Sequence, residues 1–216
     1  MNASASNAKE SMNHVELIGH YGGDKTHAMS AWTSTSRDYE GKKDRMPELL
    51  GRLAREGHHT PFEKSLLHFL VVADTASHIH LIKHRIGVSI NGESARYKEL
   101  KEDKFHVPQD WPEDEQARLK EHCWASIERY HNALERLTPI LGRKRAKESA
   151  RFYLPYANQL TLDVSFNFRS FIHFLGLRKK DEAQDEIHWI ADLMLDEVVM
   201  TNDFNHSLKA FGYIKH

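Results

Sequence analysis

From Lys83 to Tyr97 the chain reads Lys-His-Arg-Ile-Gly-Val-Ser-Ile-Asn-Gly-Glu-Ser-Ala-Arg-Tyr. This is a poor recipe for a core and a good one for holding an anion. Arg85 and Arg96 carry planar forks that match phosphate oxygens, while Ser94 and neighbouring backbone N–H groups add neutral donors. In Asn167-Phe168-Arg169-Ser170-Phe171-Ile172-His173-Phe174-Leu175-Gly176-Leu177-Arg178, helical spacing puts Asn167 and Arg178 on one face. Arg169 and His173, four residues apart, then share a nearly opposite face. Such a helix suits a position between two sites or two subunits. His58-His59-Thr60-Pro61-Phe62-Glu63-Lys64 is a weak metal motif, because adjacent side chains diverge and no carboxylate-rich set accompanies them. No metal site is therefore expected. The lone Cys123 falls in a helical pattern and reads as a core or surface thiol. Ser94 has no base beside it in a triad pattern, and no Gly-rich dinucleotide fingerprint is present.

The elements that must position these residues follow from periodicity. Residues 44 to 57 read as a helix stopped by Gly57, and residues 65 to 72 as a strand buried on both faces. A short helix over 76 to 85 is expected to deliver Lys83, His84 and Arg85 at its C-terminal end. Ile127, Tyr130, Leu134 and Leu137 mark an amphipathic helix over 113 to 137. Another helix spans 144 to 153 before Pro155, and alternation gives a half-buried strand over 160 to 166. Helices over 168 to 177 and 181 to 200 follow, separated by Arg178-Lys179-Lys180. The class is α+β. Met1 to Asn13 reads as a loose tail and residues 14 to 216 as a single domain.

Lys and Arg number 30 against 31 Asp and Glu, so the near-neutral balance disfavours a nucleic-acid coat or a membrane-surface role. No run approaches a membrane span, and the N-terminal segment lacks the apolar stretch of a signal peptide, so the expected compartment is the cytoplasm.

The ordered residues closely resemble the central motif of the flavin-dependent thymidylate synthases: Arg-His-Arg, seven residues, Ser, then Arg-Tyr just beyond. Here Lys83 stands at the first Arg, and eight residues, 86 to 93, precede Ser94. The additional residue, with Gly92 as the candidate, is expected to be absorbed as a bulge or wider turn. The segments around His58, Arg151 and Asn167, with Ala183-Gln184-Asp185-Glu186-Ile187 after them, also resemble the family's in order and near-spacing.

The resemblance implies an α+β fold with a central, mostly antiparallel sheet flanked by long helices. It implies a homotetramer whose active sites form where subunits meet. The implied reaction converts dUMP to dTMP, with methylenetetrahydrofolate as carbon donor and NADPH as reductant through FAD. His58, Thr60 and Glu63 would then lie near flavin and folate. Lys83, His84 and Arg85 would cradle the FAD diphosphate, and Asn167, Arg169 and His173 would touch the flavin. Ser34 takes the place of an early flavin-binding Ser. For dUMP the implied set is Glu93, Ser94, Ala95, Arg96 and Arg151, with His80 where the family commonly has Gln. Arg178 is the implied catalytic cation at the uracil ring, and Ser94 joins it as a ligand-holding group. The departures at Lys83 and His80 leave open hydroxymethylation of dUMP or of a related pyrimidine nucleotide, and a non-catalytic flavin- or nucleotide-binding paralogue.

Overall fold

The computed structural model describes residues 9–94, 99 and 104–215. Ala95 and Arg96, singled out above, lie outside the described residues. The elements in order are β1 (Lys9–Glu10), β2 (His14–Tyr21), α1 (Asp24–Trp32), α2 (Met46–Arg55), β3 (Leu66–Asp74), α3 (Thr75–Leu81), β4 (Val88–Gly92) and β5 (Lys104–Phe105). They continue with α4 (Glu113–Leu141), α5 (Arg143–Ala150), β6 (Gln159–Phe166), α6 (Phe168–Arg178), α7 (Asp185–Met200) and α8 (Asn205–Ala210). The fold is α+β.

Four strands form a sheet in the order β2-β3-β6-β4. Its β4–β6 pairing is antiparallel: Asn167 N–H donates to Gly87 O at one end, and Glu93 N–H to Thr161 O at the other. β1 and β5 pair separately in parallel, Lys9 opposite Lys104. No described helix is long and apolar enough to cross a membrane.

The chain divides into two compact units, the first from the described parts of Met1–His14, Val71–Lys83 and Asn91–Leu162. In the first unit, Cys123, Ile127, Tyr130 and Leu134 project from one stripe of α4, and all are buried. Cys123 and Ile127 pack with Phe105 and Val107, while Tyr130 and Leu134 pack with Ala146 and Ala150 of α5. Burial pushes the Cys123 thiol up to about 11, which keeps it protonated and inert. Asp74 caps α3 by accepting the Ser77 N–H at 2.8 Å. It also accepts from the Asn13 amide at 2.7 Å, and Gln159 in turn donates to Asn13 Oδ1 at 2.9 Å.

The second unit comprises Val15–Leu70, His84–Ile90 and the described part of Asp163–His216. Its core is aromatic: Phe62, Phe168 and Phe204 surround His27, with the Phe168 and Phe204 rings stacked at 5.3 Å and Phe211 packed on Phe62 and Phe168. The Asp24 carboxylate accepts from Ser207 Oγ, so that oxygen accepts from His27 Nδ1 at 2.9 Å. The remaining ring nitrogen, Nε2, then accepts from Ser65 Oγ at 2.8 Å. This chain of hydroxyls and rings ties α1, α8 and the start of β3 together.

The expected helix over 76 to 85 needs correction. α3 ends at Leu81, not at residue 85, because Ile82 N–H closes onto His78 O and the chain then turns at Gly87 (φ +66°) into β4. The left-handed residue of that stretch is Gly87, whereas Gly92 belongs to β4 and keeps a negative φ. Strands β2 and β4 and helices α1 and α8 were not read from the sequence: β4 and α8 are five and six residues long, and β2 and α1 interleave polar residues with apolar ones.

Burial holds the His27 pKa down at about 3, against 6.5 for a free imidazole. Between those values the unfolded chain takes up a proton that the folded chain refuses, so His27 removes stability as pH falls below about 6.5. The slope approaches ~1.4 kcal/mol per pH unit in mild acid. Asp24, whose pKa burial raises, acts in the opposite sense nearer its own range. Urea unfolding from pH 7.5 to 5 is expected to show the loss, and His27→Leu, though less stable at neutral pH, should lack that slope.

Candidate functional site

Each unit contains a cavity, and the two differ in chemistry. The first-unit cavity, 460 Å³, lies between α3, the end of β4 and the turn after α5. Arg151, Glu93 and Ser94 all line it, so three of the residues assigned to a nucleotide converge there. Arg151 begins a 3-10 turn, Arg151–Tyr153, and faces solvent on one side. Glu93 is tied to the sheet: its N–H donates to Thr161 O, and its carboxylate accepts Thr161 N–H at 3.3 Å. Thr75, His78, Ile79 and Ile82 form the α3 wall, and Leu154, Pro155 and Tyr156 the other. A cation and a hydroxyl at one place, with apolar walls beyond, suit a phosphorylated, partly apolar ligand.

The second-unit cavity measures 620 Å³ and is built on α6. Glu63, Asn167, Arg169 and His173 line it together with Ile172, Leu177, Phe211 and Tyr213. Asn167 does not take the face opposite Arg169, as a helical register for it would require. It is the N-cap, with extended φ and ψ, and so turns toward the same cavity. Its Oδ1 accepts Ser170 N–H at 2.8 Å, and Ser170 Oγ donates to Ile86 O at 2.6 Å, stapling the Ile86–Gly87 turn to the helix. Glu63 pairs with Arg169. Tyr213 OH donates to Ile172 O at 3.2 Å, and burial raises its pKa, so it remains a phenol.

Arg178, at the far end of α6, donates from Nε to His84 Nε2 at 3.0 Å. A guanidinium has no acceptor, so that imidazole nitrogen is unprotonated. Burial pushes the Arg178 pKa below its ordinary value, the expected cost of holding a cation partly out of water.

Other assigned residues stand elsewhere. Lys83 and Arg85 face solvent, as does Thr60. Ser34 is exposed and donates to Ala31 O at 3.1 Å, while its neighbour Thr33 lines a basic depression with Lys25, Arg37 and Lys64. Of the paired histidines, His59 reaches the second-unit cavity, and His58 is exposed with its Nε2 3.8 Å from the Glu56 carboxylate. On α3, His78 lines the first-unit cavity and His80 does not, because residues two apart on a helix point in nearly opposite directions. Sequence reasoning missed His59, His78, Phe211 and Tyr213. The Thr75, His78, Ile79, Ile82 spacing was the available signal for His78; nothing local marks the C-terminal pair.

A family model described as thymidylate synthase complementing protein matches residues 16–201, ending before Phe211 and Tyr213. A flavin-dependent thymidylate synthase from Streptomyces avermitilis is 32% identical over 206 residues, spanning 83% of this chain and 83% of that protein. One from Pseudothermotoga lettingae is 32% identical over 183 residues, 82% of this chain and 80% of its own. Among solved structures, the UMP/dUMP methylase PolB from Streptomyces cacaoi, bound with 5-Br dUMP, has a TM-score of 0.78 at 26% identity, over 94% of this chain and 95% of that one. Its form bound with 5-Br UMP has a TM-score of 0.79 at 25% identity, over 97% and 99%.

The stapled turn predicts a sharp steric response. A Cβ at Gly87 would collide with Asn167 Nδ2 and Ser170 Oγ, and φ there is +66°. Gly87→Ala should therefore cost about 2–4 kcal/mol in urea unfolding. Gly57→Ala, at φ +76° with open space around it, should cost only about 1 kcal/mol.

Proposed function

We infer, because the chain belongs to the flavin-dependent thymidylate synthase family, that it is a flavin-dependent methyltransferase acting on dUMP. In full, the proposed reaction makes dTMP with FAD as the flavin, methylenetetrahydrofolate as carbon donor and NADPH as reductant, in a cytoplasmic homotetramer. The observation that carries this reading is the presence of two cavities of complementary chemistry in one chain, the first with Arg151 and Ser94, the second with Arg169, His173 and Asn167.

The second-unit cavity fits a flavin ring. Ile172, Leu177 and Phe211 offer an apolar wall to a flat conjugated face, and Asn167, Arg169 and His173 offer polar atoms to its edge. When bound, the flavin supplies the two-electron reduction that turns a methylene carbon into a methyl group. Lys83, His84 and Arg85 would take the diphosphate, with Ser34, His58, Thr60 and Glu63 completing the flavin and folate surroundings.

Arg151 and Ser94 bind the nucleotide phosphate, joined by Glu93, Ala95 and Arg96, the last as a second fork; His80 completes the assigned nucleotide set. Arg178, oriented by His84, stabilises negative charge that gathers on the uracil oxygens as C5 is substituted, a strong effect where water is excluded. In the proposed tetramer, Arg178 of one copy serves a nucleotide held by another. Ile86 and Phe152 support that assembly, since they leave 89% and 82% of their surfaces exposed for a second copy to cover.

The reading is tested by the visible spectrum of the purified protein and by anaerobic addition of NADPH and dUMP. Bleaching of a yellow protein, and dTMP by mass once methylenetetrahydrofolate is added, is the expected result. A colourless protein that takes up no FAD would overturn it, and a product heavier by one oxygen would identify hydroxymethylation instead. Arg178→Ala should lower turnover at least about 100-fold with an unchanged circular dichroism spectrum. Ser94→Ala should weaken dUMP binding about tenfold while altering kcat less.

A further inference from the structure

α3 turns one stripe, Thr75, His78, Ile79 and Ile82, toward the first-unit cavity. Several polar groups around that cavity are already committed. Thr75 Oγ1 donates to Asn158 O at 2.9 Å, the Asn158 amide donates to Gln159 O at 3.3 Å, and the Glu93 carboxylate holds Thr161 N–H. His78 differs: its imidazole makes no hydrogen bond to another described residue. The ring is half-buried, and burial pushes its pKa below the usual imidazole value, so it meets the cavity uncharged. Bare backbone backs it. A Cβ at Gly92 would stand 3.0 Å from Leu162 Cδ2, a tight contact, and 3.4 Å from His78 Cε1 and 3.7 Å from Nε2, so no side chain at Gly92 can stand between the ring and the sheet without crowding both.

A half-buried imidazole whose two nitrogens meet no described residue keeps both a donor and an acceptor available to a ligand. An uncharged ring contributes little to a phosphate, which Arg151 and Ser94 serve better. The rest of a pyrimidine nucleotide, its uracil edge and sugar hydroxyl, presents donors and acceptors that such a ring matches.

We propose that His78 is a specificity-determining residue whose imidazole hydrogen-bonds the uncharged nucleoside part of a pyrimidine nucleotide held by its phosphate at Arg151 and Ser94. The proposal rests on the nucleotide reading of this cavity given above.

Calorimetric titration of the full chain with dUMP and with deoxyribose 5-phosphate, with inorganic phosphate as competitor, tests it. His78→Ala should weaken dUMP about tenfold and leave phosphate competition at the wild-type level. His78→Gln, which keeps a donor and an acceptor, should recover most of the loss. Weakening of deoxyribose 5-phosphate alongside dUMP would support the contact at the sugar; weakening of dUMP alone would support it at the uracil. Should His78→Ala fail to fold, His78→Phe, which keeps a ring of similar size and removes both nitrogens, carries the same selective expectation. Unchanged dUMP affinity in the folded variant, or an equal loss of phosphate competition, would overturn the proposal. Failure of the wild-type protein to bind dUMP would instead overturn the nucleotide reading itself, and the proposal with it.

Discussion

Both cavities depend on a strand that becomes a helix across one capping residue. Asp74 ends β3 and starts α3; Asn167 follows β6 and starts α6. Each accepts the N–H of a serine three residues on, Ser77 and Ser170, and so satisfies a donor that the first helical turn leaves without a partner. With no loop between strand and helix, the direction of the helix is set by the sheet itself. The side chains one and two turns further on therefore point into a cavity with little freedom to wander. His78 and Ile79 gain their aim this way in one unit, Arg169 and His173 in the other. The second partner of each cap widens its reach: Asp74 gathers Asn13, and the Ser170 hydroxyl pins the Ile86 carbonyl.

Much of this was legible because the elements are long and their periods clear. The 29-residue helix α4 announces itself through Ile127, Tyr130, Leu134 and Leu137, and β6 through strict alternation. Residue type pointed to Ser94 and the resemblance to Arg151, and the two line one cavity. Besides β2 and α1, what escaped were questions of direction. Two histidines side by side, or two apart on a helix, look equivalent in a sequence, yet only His59 and His78 face cavities. The Asn167 register was misjudged because a cap belongs to its helix by hydrogen bond but not by dihedral angle. Phe211 and Tyr213 were invisible for another reason: their contacts, with Phe62 and with Ile172 O, are far away in the chain.

The abundance of histidine makes little sense as a single property and considerable sense as several. Sealed among phenyl rings, His27 is an uncharged hydrogen-bond bridge. His84 offers a lone pair to a guanidinium, His68 meets Asp163 across neighbouring strands at 2.6 Å, and His78 presents an unused ring to a cavity. One side chain thus acts as structural spacer, acceptor, exposed hydrogen-bond partner and cavity lining, and solvent access and neighbours decide which.

The His27 bridge has a spectroscopic consequence. Its ring N–H is directed at Ser207 and is shut away from water by Phe62, Phe168 and Phe204. A hydrogen in such a place exchanges with solvent only when the join between α1 and α8 opens. In a proton magnetic resonance spectrum it would stand downfield of the amide envelope, and its lifetime there would time the opening of that one seam independently of anything bound in either cavity.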